Sequence, residues 1–106
     1  AGYDISSVTS MVAAGCNVIV FTTGRGTPTG NAIVPVLKVT ANAHTYSWME
    51  DNMDVDLSGI LRGEESISAS GERLLTRIHE VANGRLTKAE AYGFSDIAVD
   101  HVCRFV

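Results

Sequence analysis

Four consecutive apolar residues, Val18, Ile19, Val20 and Phe21, run straight into the loop Thr22-Thr23-Gly24-Arg25-Gly26-Thr27-Pro28-Thr29-Gly30. No other feature narrows the fold as much. An unbroken, mostly β-branched apolar run is the pattern of a strand covered on both faces, and it predicts a strand over residues 17–22. Layers on both sides of a strand mean helices packed on a sheet. The expected class is therefore α/β: a Rossmann-like layered domain with a mostly parallel sheet flanked by helices.

The flanking segments supply those layers. Residues 4–14 read as a helix, with Asp4, Ser6 and Ser7 as capping oxygens, Ile5, Val8 and Val12 at helical spacing, and Gly15 as its stop. Val36, Leu37, Val39 and Thr40 make a second strand beyond Pro35, and residues 43–49 a short aromatic-rich helix. Over residues 68–83 a helix is predicted from the stripe of Leu74, Leu75, Ile78, Val81 and Ala82, which Gly84 closes. Thr87 followed by Glu90 is a capping-box spacing that opens a helical turn ending at Gly93. Ile97, Val99, His101, Cys103 and Phe105 alternate with Asp100 and Arg104, the pattern of a half-buried edge strand.

With 106 residues the chain holds one domain. Charge is concentrated late: residues 1–48 carry only Asp4, Arg25 and Lys38, whereas residues 50–90 hold nine acids and five bases. The first half thus reads as buried scaffold. A net charge of −4 without a basic cluster argues against nucleic acid as a partner. The longest apolar run is four residues, far short of a membrane span, and no leader is visible at Ala1. Cys16 and Cys103 lie in apolar stretches without a CxxC pair and read as buried thiols of a reducing cytoplasm.

The loop after the first strand is where chemistry is expected, because ligands of α/β sheets bind beyond the carboxyl ends of strands. Its glycines allow close backbone approach, its hydroxyls and N–H groups donate hydrogen bonds, and Arg25 can grip a carboxylate or phosphate with two of them. A Walker loop is excluded, since no Gly-Lys-Ser/Thr follows. The GxGxxG dinucleotide spacing is also absent, since position 29 is Thr. A plain tight turn with a surface Arg remains the structural alternative.

Phe21-Thr22-Thr23-Gly24-Arg25-Gly26-Thr27-Pro28 also carries a resemblance. Together with Gly2-Tyr3-Asp4, Ala13-Ala14-Gly15, Pro35-Val36-Leu37-Lys38-Val39, Ala41-Asn42 and Asp51-Asn52-Met53-Asp54-Val55-Asp56, it resembles the C-terminal domain of the altronate/galactarate dehydratase family, in order along essentially the whole chain. Thr45-Tyr46 and Met53-Asp54-Val55-Asp56 look closer to the galactarate-type branch. Leu57-Ser58-Gly59 departs from the Ala-Gly usual there. The resemblance implies one domain of a longer carbon-oxygen lyase, inactive without its upstream domains. That enzyme would dehydrate a sugar acid to a 2-keto-3-deoxy acid, use ferrous iron held mainly by the missing domains, and leave a homo-oligomer open. A sulfolactate-like substrate fits the same group.

Removing a proton beside a carboxylate puts negative charge on the carboxylate oxygens, which cationic and N–H donors stabilise. Arg25 is accordingly expected to bind the substrate carboxylate, with Thr22, Thr23, Gly24, Gly26, Thr27 and Asn42 lining the same site. Lys38 interrupts an apolar strand, so it is either a catalytic base or electrostatic partner with a burial-lowered pKa, or an outward edge-strand lysine. The rival function is a stand-alone module that binds a small anion or mediates assembly.

A competing pattern runs from Asp54 to Glu65. Asp54, Asp56, Ser58, Gly59, Leu61 and Glu65 fall at EF-hand positions, although Val55 and Leu57 are apolar where a calcium loop is polar. Asp54 and Asp56 serve otherwise as turn caps or reach toward a cation held elsewhere. His44, His79 and His101 have no metal-ligand spacing, and His44, beside Asn42, is the one worth testing. Trp48, Tyr46 and Met49 read as core or interdomain packing.

Overall fold

Val36, Leu37, Lys38, Val39 and Thr40 form a strand in which all five side chains are buried, and the domain is organised around it. The computed structural model describes residues 3–99. In chain order these form α1 (Asp4–Ala13), β1 (Ile19–Thr22), β2 (Val36–Thr40), α2 (Ala43–Trp48), β3 (Val55–Asp56), α3 (Ser58–Leu61), α4 (Ile67–Ala82) and α5 (Lys88–Tyr92). The three strands make one parallel sheet in the order β1-β2-β3. Its register sets Ile19 beside Val36, Phe21 beside Lys38, Thr22 beside Val39, and Thr40 beside Asp56. The parallel α/β expectation is borne out.

Side chains alternate across a strand, so β2 feeds two cores. On one face Val36 packs with Val8 of α1, Ile19 and Val34, with Met11, Val12 and Phe21 around them. On the other, Leu37 and Val39 pack with Val55 and Val81, joined by Val18, Leu57, Leu74 and Ile78. Each fully buried Val or Leu contributes roughly 1.5–3 kcal/mol. The α4 stripe is thus real, but only its inner half is covered: Leu75 is exposed.

Several sequence expectations need correction. The first strand starts at Ile19 rather than 17, and among the described residues it is an edge strand, with Val20 37% exposed. Continuous apolar residues say that a strand is apolar, not that this domain covers both its faces. α1 is not capped by Asp4, Ser6 or Ser7; its N-cap is Tyr3, without a side-chain cap, and the helix ends at Ala13. α4 starts earlier than predicted, capped by the Ser66 hydroxyl on the Ala69 N–H at 3.1 Å. The helix at residues 43–49 ends at Trp48; of the core and interdomain readings the core one fails for Trp48, which is exposed, while Tyr46 and Met49 are half-buried. β3 and α3 were not foreseen.

Two motifs match in detail. Thr87 and Glu90 form the capping box of α5, and Gly93 ends it at φ +74°. Cys16 is exposed, not buried, because it follows Gly15 in the turn out of α1. Cys103 lies outside the described residues, as does most of the proposed C-terminal strand, and Ile97 to Val99 are not in a strand.

Candidate functional site

The carboxyl ends of β1 and β2 open into a cleft of about 430 Å³. Thr22, Thr23 and Gly24 line it from the first strand's loop, Ala41 and Asn42 from the second, and Leu57 and Leu61 from the far wall. Two adjacent parallel strands place their following loops side by side, so the position follows from the sheet.

The loop is held from several directions. The Thr23 N–H donates to the Val39 carbonyl at 3.0 Å, extending the sheet by one bond. The Thr23 hydroxyl in turn accepts from the Gly26 N–H at 3.0 Å, closing a turn around Gly24 and Arg25. From α2, the Thr45 hydroxyl donates to the Gly24 carbonyl at 2.6 Å. The Asn42 carboxamide oxygen caps that helix, accepting from the N–H groups of His44 (3.0 Å) and Thr45 (3.3 Å). Its amide nitrogen has no hydrogen-bond partner among the described residues, and Asn42 lines the cleft.

Gly26 is required twice over. Its φ is +86°, a region that side-chain-bearing residues seldom adopt, and a Cβ there would run into Met49 Sδ and sit 3.1 Å from Thr45 Cγ2. Gly26→Ala is therefore expected to cost about 1–3 kcal/mol. A thermal melt should show it, at roughly 4–8 °C per kcal/mol for a domain of this size. An unchanged melting temperature would mean that the loop is not seated on α2.

The predicted site residues separate into three groups. Thr22, Thr23, Gly24 and Asn42 come together in the cleft. Arg25 and Gly26 lie in the same turn; Arg25 is exposed and has no hydrogen-bond or ion-pair partner among the described residues. Thr27 turns inward instead, buried with its hydroxyl 2.8 Å from that of Thr29.

Lys38 stands apart. It alternates with Val39, which lines the cleft, so its side chain leaves the opposite face of β2, beside Phe21. It is 0% exposed and Nζ has no hydrogen-bond partner among the described residues, which rules out the outward-facing alternative. Burial pushes its pKa below the usual lysine range, and the Asp54 carboxylate partly opposes that shift.

The EF-hand pattern does not converge on a cation. Asp54 uses both carboxylate oxygens on backbone donors, the Lys38 N–H and the Lys88 N–H, each at 2.8 Å. Asp56 Oδ1 accepts from the Ser58 N–H at 2.8 Å. Glu65 is held by Ser70 and by Arg73, whose hydrogen bonds, the Arg73 one first, keep its carboxyl below the usual range. Among the described residues no three His, Cys, Asp or Glu side chains are grouped to hold a metal. Within the described residues Asp54 and Asp56, the carboxylates nearest the sheet, already accept from main-chain N–H groups, so they make no iron site by themselves.

Val39, Ala41, Leu57 and Leu61 line the cleft and Thr45 holds its loop, and sequence reasoning assigned none of these five to the site. Thr45 had a signal, the Thr45-Tyr46 pair; the two leucines had none, since only folding brings α3 across the strand ends.

Residues 1–104 match the family model described as D-galactarate/altronate dehydratase, C-terminal. The chain belongs to this family. It is 41% identical over 92 residues to the (2R)-sulfolactate sulfo-lyase subunit beta of Chromohalobacter salexigens, covering 87% of this chain and 24% of that one. Against the galactarate dehydratase (L-threo-forming) of Escherichia coli it is 43% identical over 77 residues, 73% of this chain and 15% of the relative. The altronate dehydratase of Bacillus subtilis is 35% identical over 106 residues, 92% of this chain and 20% of that protein. The galactarate/altronate dehydratase C-terminal domain thus spans a quarter or less of these relatives' length. Among the described residues no helix is long and apolar enough to cross a membrane.

Proposed function

We propose that this domain is part of a lyase acting on a hydroxy acid, a galactarate- or altronate-type sugar acid, and that it binds the substrate carboxylate at the loop after β1. One observation carries the reading: the cleft at the strand ends is bordered by a turn whose guanidinium, Arg25, has no internal partner among the described residues. What the relatives' names share supports it. Galactarate, altronate and sulfolactate are all hydroxy carboxylates, and each named activity is an elimination.

In the dehydration, a C–H bond beside the carboxylate and a C–O bond one carbon further break, water leaves, and the resulting enol becomes the 2-keto-3-deoxy acid. Negative charge grows on the carboxylate oxygens as the proton departs. Arg25, the hydroxyls of Thr22 and Thr23 and the Gly24 N–H oppose that charge, and the Asn42 amide orients a substrate hydroxyl. Lys38 leaves β2 on the face opposite Val39, and the residues that complete the site come from the rest of a longer enzyme.

The test is Arg25→Ala and Arg25→Lys in the full-length product of the gene, assayed with galactarate and altronate. Loss of a charge-stabilising donor is worth about 10²–10³ in turnover. Arg25→Ala should fall by that factor, and Arg25→Lys should recover only part, since an ammonium cannot make the two-pronged contact. Wild-type kinetics in Arg25→Ala, or no dehydration of any sugar acid by the full-length protein, would overturn the reading.

A further inference from the structure

The two edges of the sheet differ. β3 is two residues long and guarded: the Arg73 guanidinium, itself braced by Glu65, donates to the Asp56 carbonyl at 2.7 Å. β1 has no such guard among the described residues. Its inward bonds run from the N–H groups of Ile19 and Thr23 to the carbonyls of Pro35 and Val39, each at 3.0 Å. Alternate residues of a parallel strand bond to opposite sides, so Val20 and Thr22 direct their N–H and C=O groups away from β2. Neither residue has a partner on that side among the described residues.

The side chains do not guard this edge either. Natural edges are blunted by lysine, proline, bulges or inward-pointing charges. Val18 to Thr22 contains none of these, and Val20 is 37% exposed. An open row of main-chain donors and acceptors beside an apolar side chain is a template for one kind of occupant, another extended strand.

We propose that the outer edge of β1 receives an extended segment from the rest of a longer polypeptide, hydrogen-bonded to the Val20 and Thr22 main chain, with an apolar side chain against Val20. The relatives supply the reason for that occupant: the matched stretch is a quarter or less of their length, so most of each relative's polypeptide lies outside this domain's counterpart. A strand added there runs past Thr22, whose side chain lines the cleft, and delivers its neighbouring residues to the site. The inference concerns docking and stands whether or not Arg25 binds a carboxylate.

Hydrogen exchange at the Val20 and Thr22 amides tests it, compared between the 106-residue chain and the full-length product of its gene. The amides should exchange about 100-fold or more slowly in the full-length protein, because a ladder bond must open first. Val20→Pro, which removes the outward donor and leaves the inward ladder intact, should abolish the added protection at Thr22. Equal, fast exchange in both proteins would overturn the proposal. So would protection of the 106-residue chain that grows with concentration, which identifies a second copy, or protection independent of concentration, which places the occupant within this chain.

Discussion

Asp54→Ala is expected to destabilise the 106-residue domain by about 3–5 kcal/mol. The Asp54 carboxylate accepts from the Lys38 N–H on the central strand and the Lys88 N–H at the start of α5, both at 2.8 Å. Its own N–H donates to the Lys38 carbonyl, also at 2.8 Å, so one residue ties β2 to the last helix. Alanine would leave both donors without their charged acceptor, and each such loss costs roughly 1–3 kcal/mol. Asp54→Asn retains one acceptor oxygen but sets an amide NH2 against the other N–H, so it should cost about half as much. Urea unfolding of the three proteins gives the comparison. A difference below about 1 kcal/mol for Asp54→Ala would mean that water replaces the carboxylate without penalty, and that Asp54 is not the strut between strand and helix.

Local signals proved legible where one short stretch decides its own structure. The β2 strand, the Thr87–Glu90 capping box and the glycine stops at Gly15, Gly84 and Gly93, all with positive φ, follow from residues within a few positions of each other. What distant partners decide was not legible. Val20 belongs to a run that looks doubly covered, yet among the described residues strand order puts it at an edge. Asp54, Asp56 and Glu65 have the spacing of a calcium loop, but β3 and α3 divide that stretch, and each acid finds a nearer donor than a cation. The same holds for the site. Thr22, Thr23, Gly24 and Asn42 were readable because the ends of parallel strands gather their loops, whereas the wall of Leu57 and Leu61 arises only when α3 crosses them. Lys38 shows the limit most sharply: period-two alternation puts it opposite Val39, but only the register and the second core reveal which face holds the cleft.

Lys38→Met is expected to stabilise the domain by about 1–4 kcal/mol at neutral pH, the range found when buried ionic groups give way to apolar ones of similar size. The amine is fully buried, has no hydrogen-bond acceptor among the described residues, and faces a carboxylate whose oxygens are already engaged. Burial lowers its folded pKa below the unfolded value, which is near 10.4. Between those two values the unfolded chain binds the extra proton, so wild-type stability rises with pH by up to about 1.36 kcal/mol per unit. Below the folded pKa both states are protonated and the full penalty is present; above about 10.4 both are neutral and the penalty is gone. The advantage of Lys38→Met should therefore be greatest at low pH, shrink through that window and vanish at its alkaline end. Methionine cannot titrate, so a wild-type stability curve parallel to that of Lys38→Met across the whole range would mean that the amine is solvated and ordinary. The same variant in the full-length protein separates packing from chemistry. Since Lys38 lies across the sheet from the cleft, turnover should survive the substitution, and a more stable but inactive Lys38→Met would return the amine to the reaction.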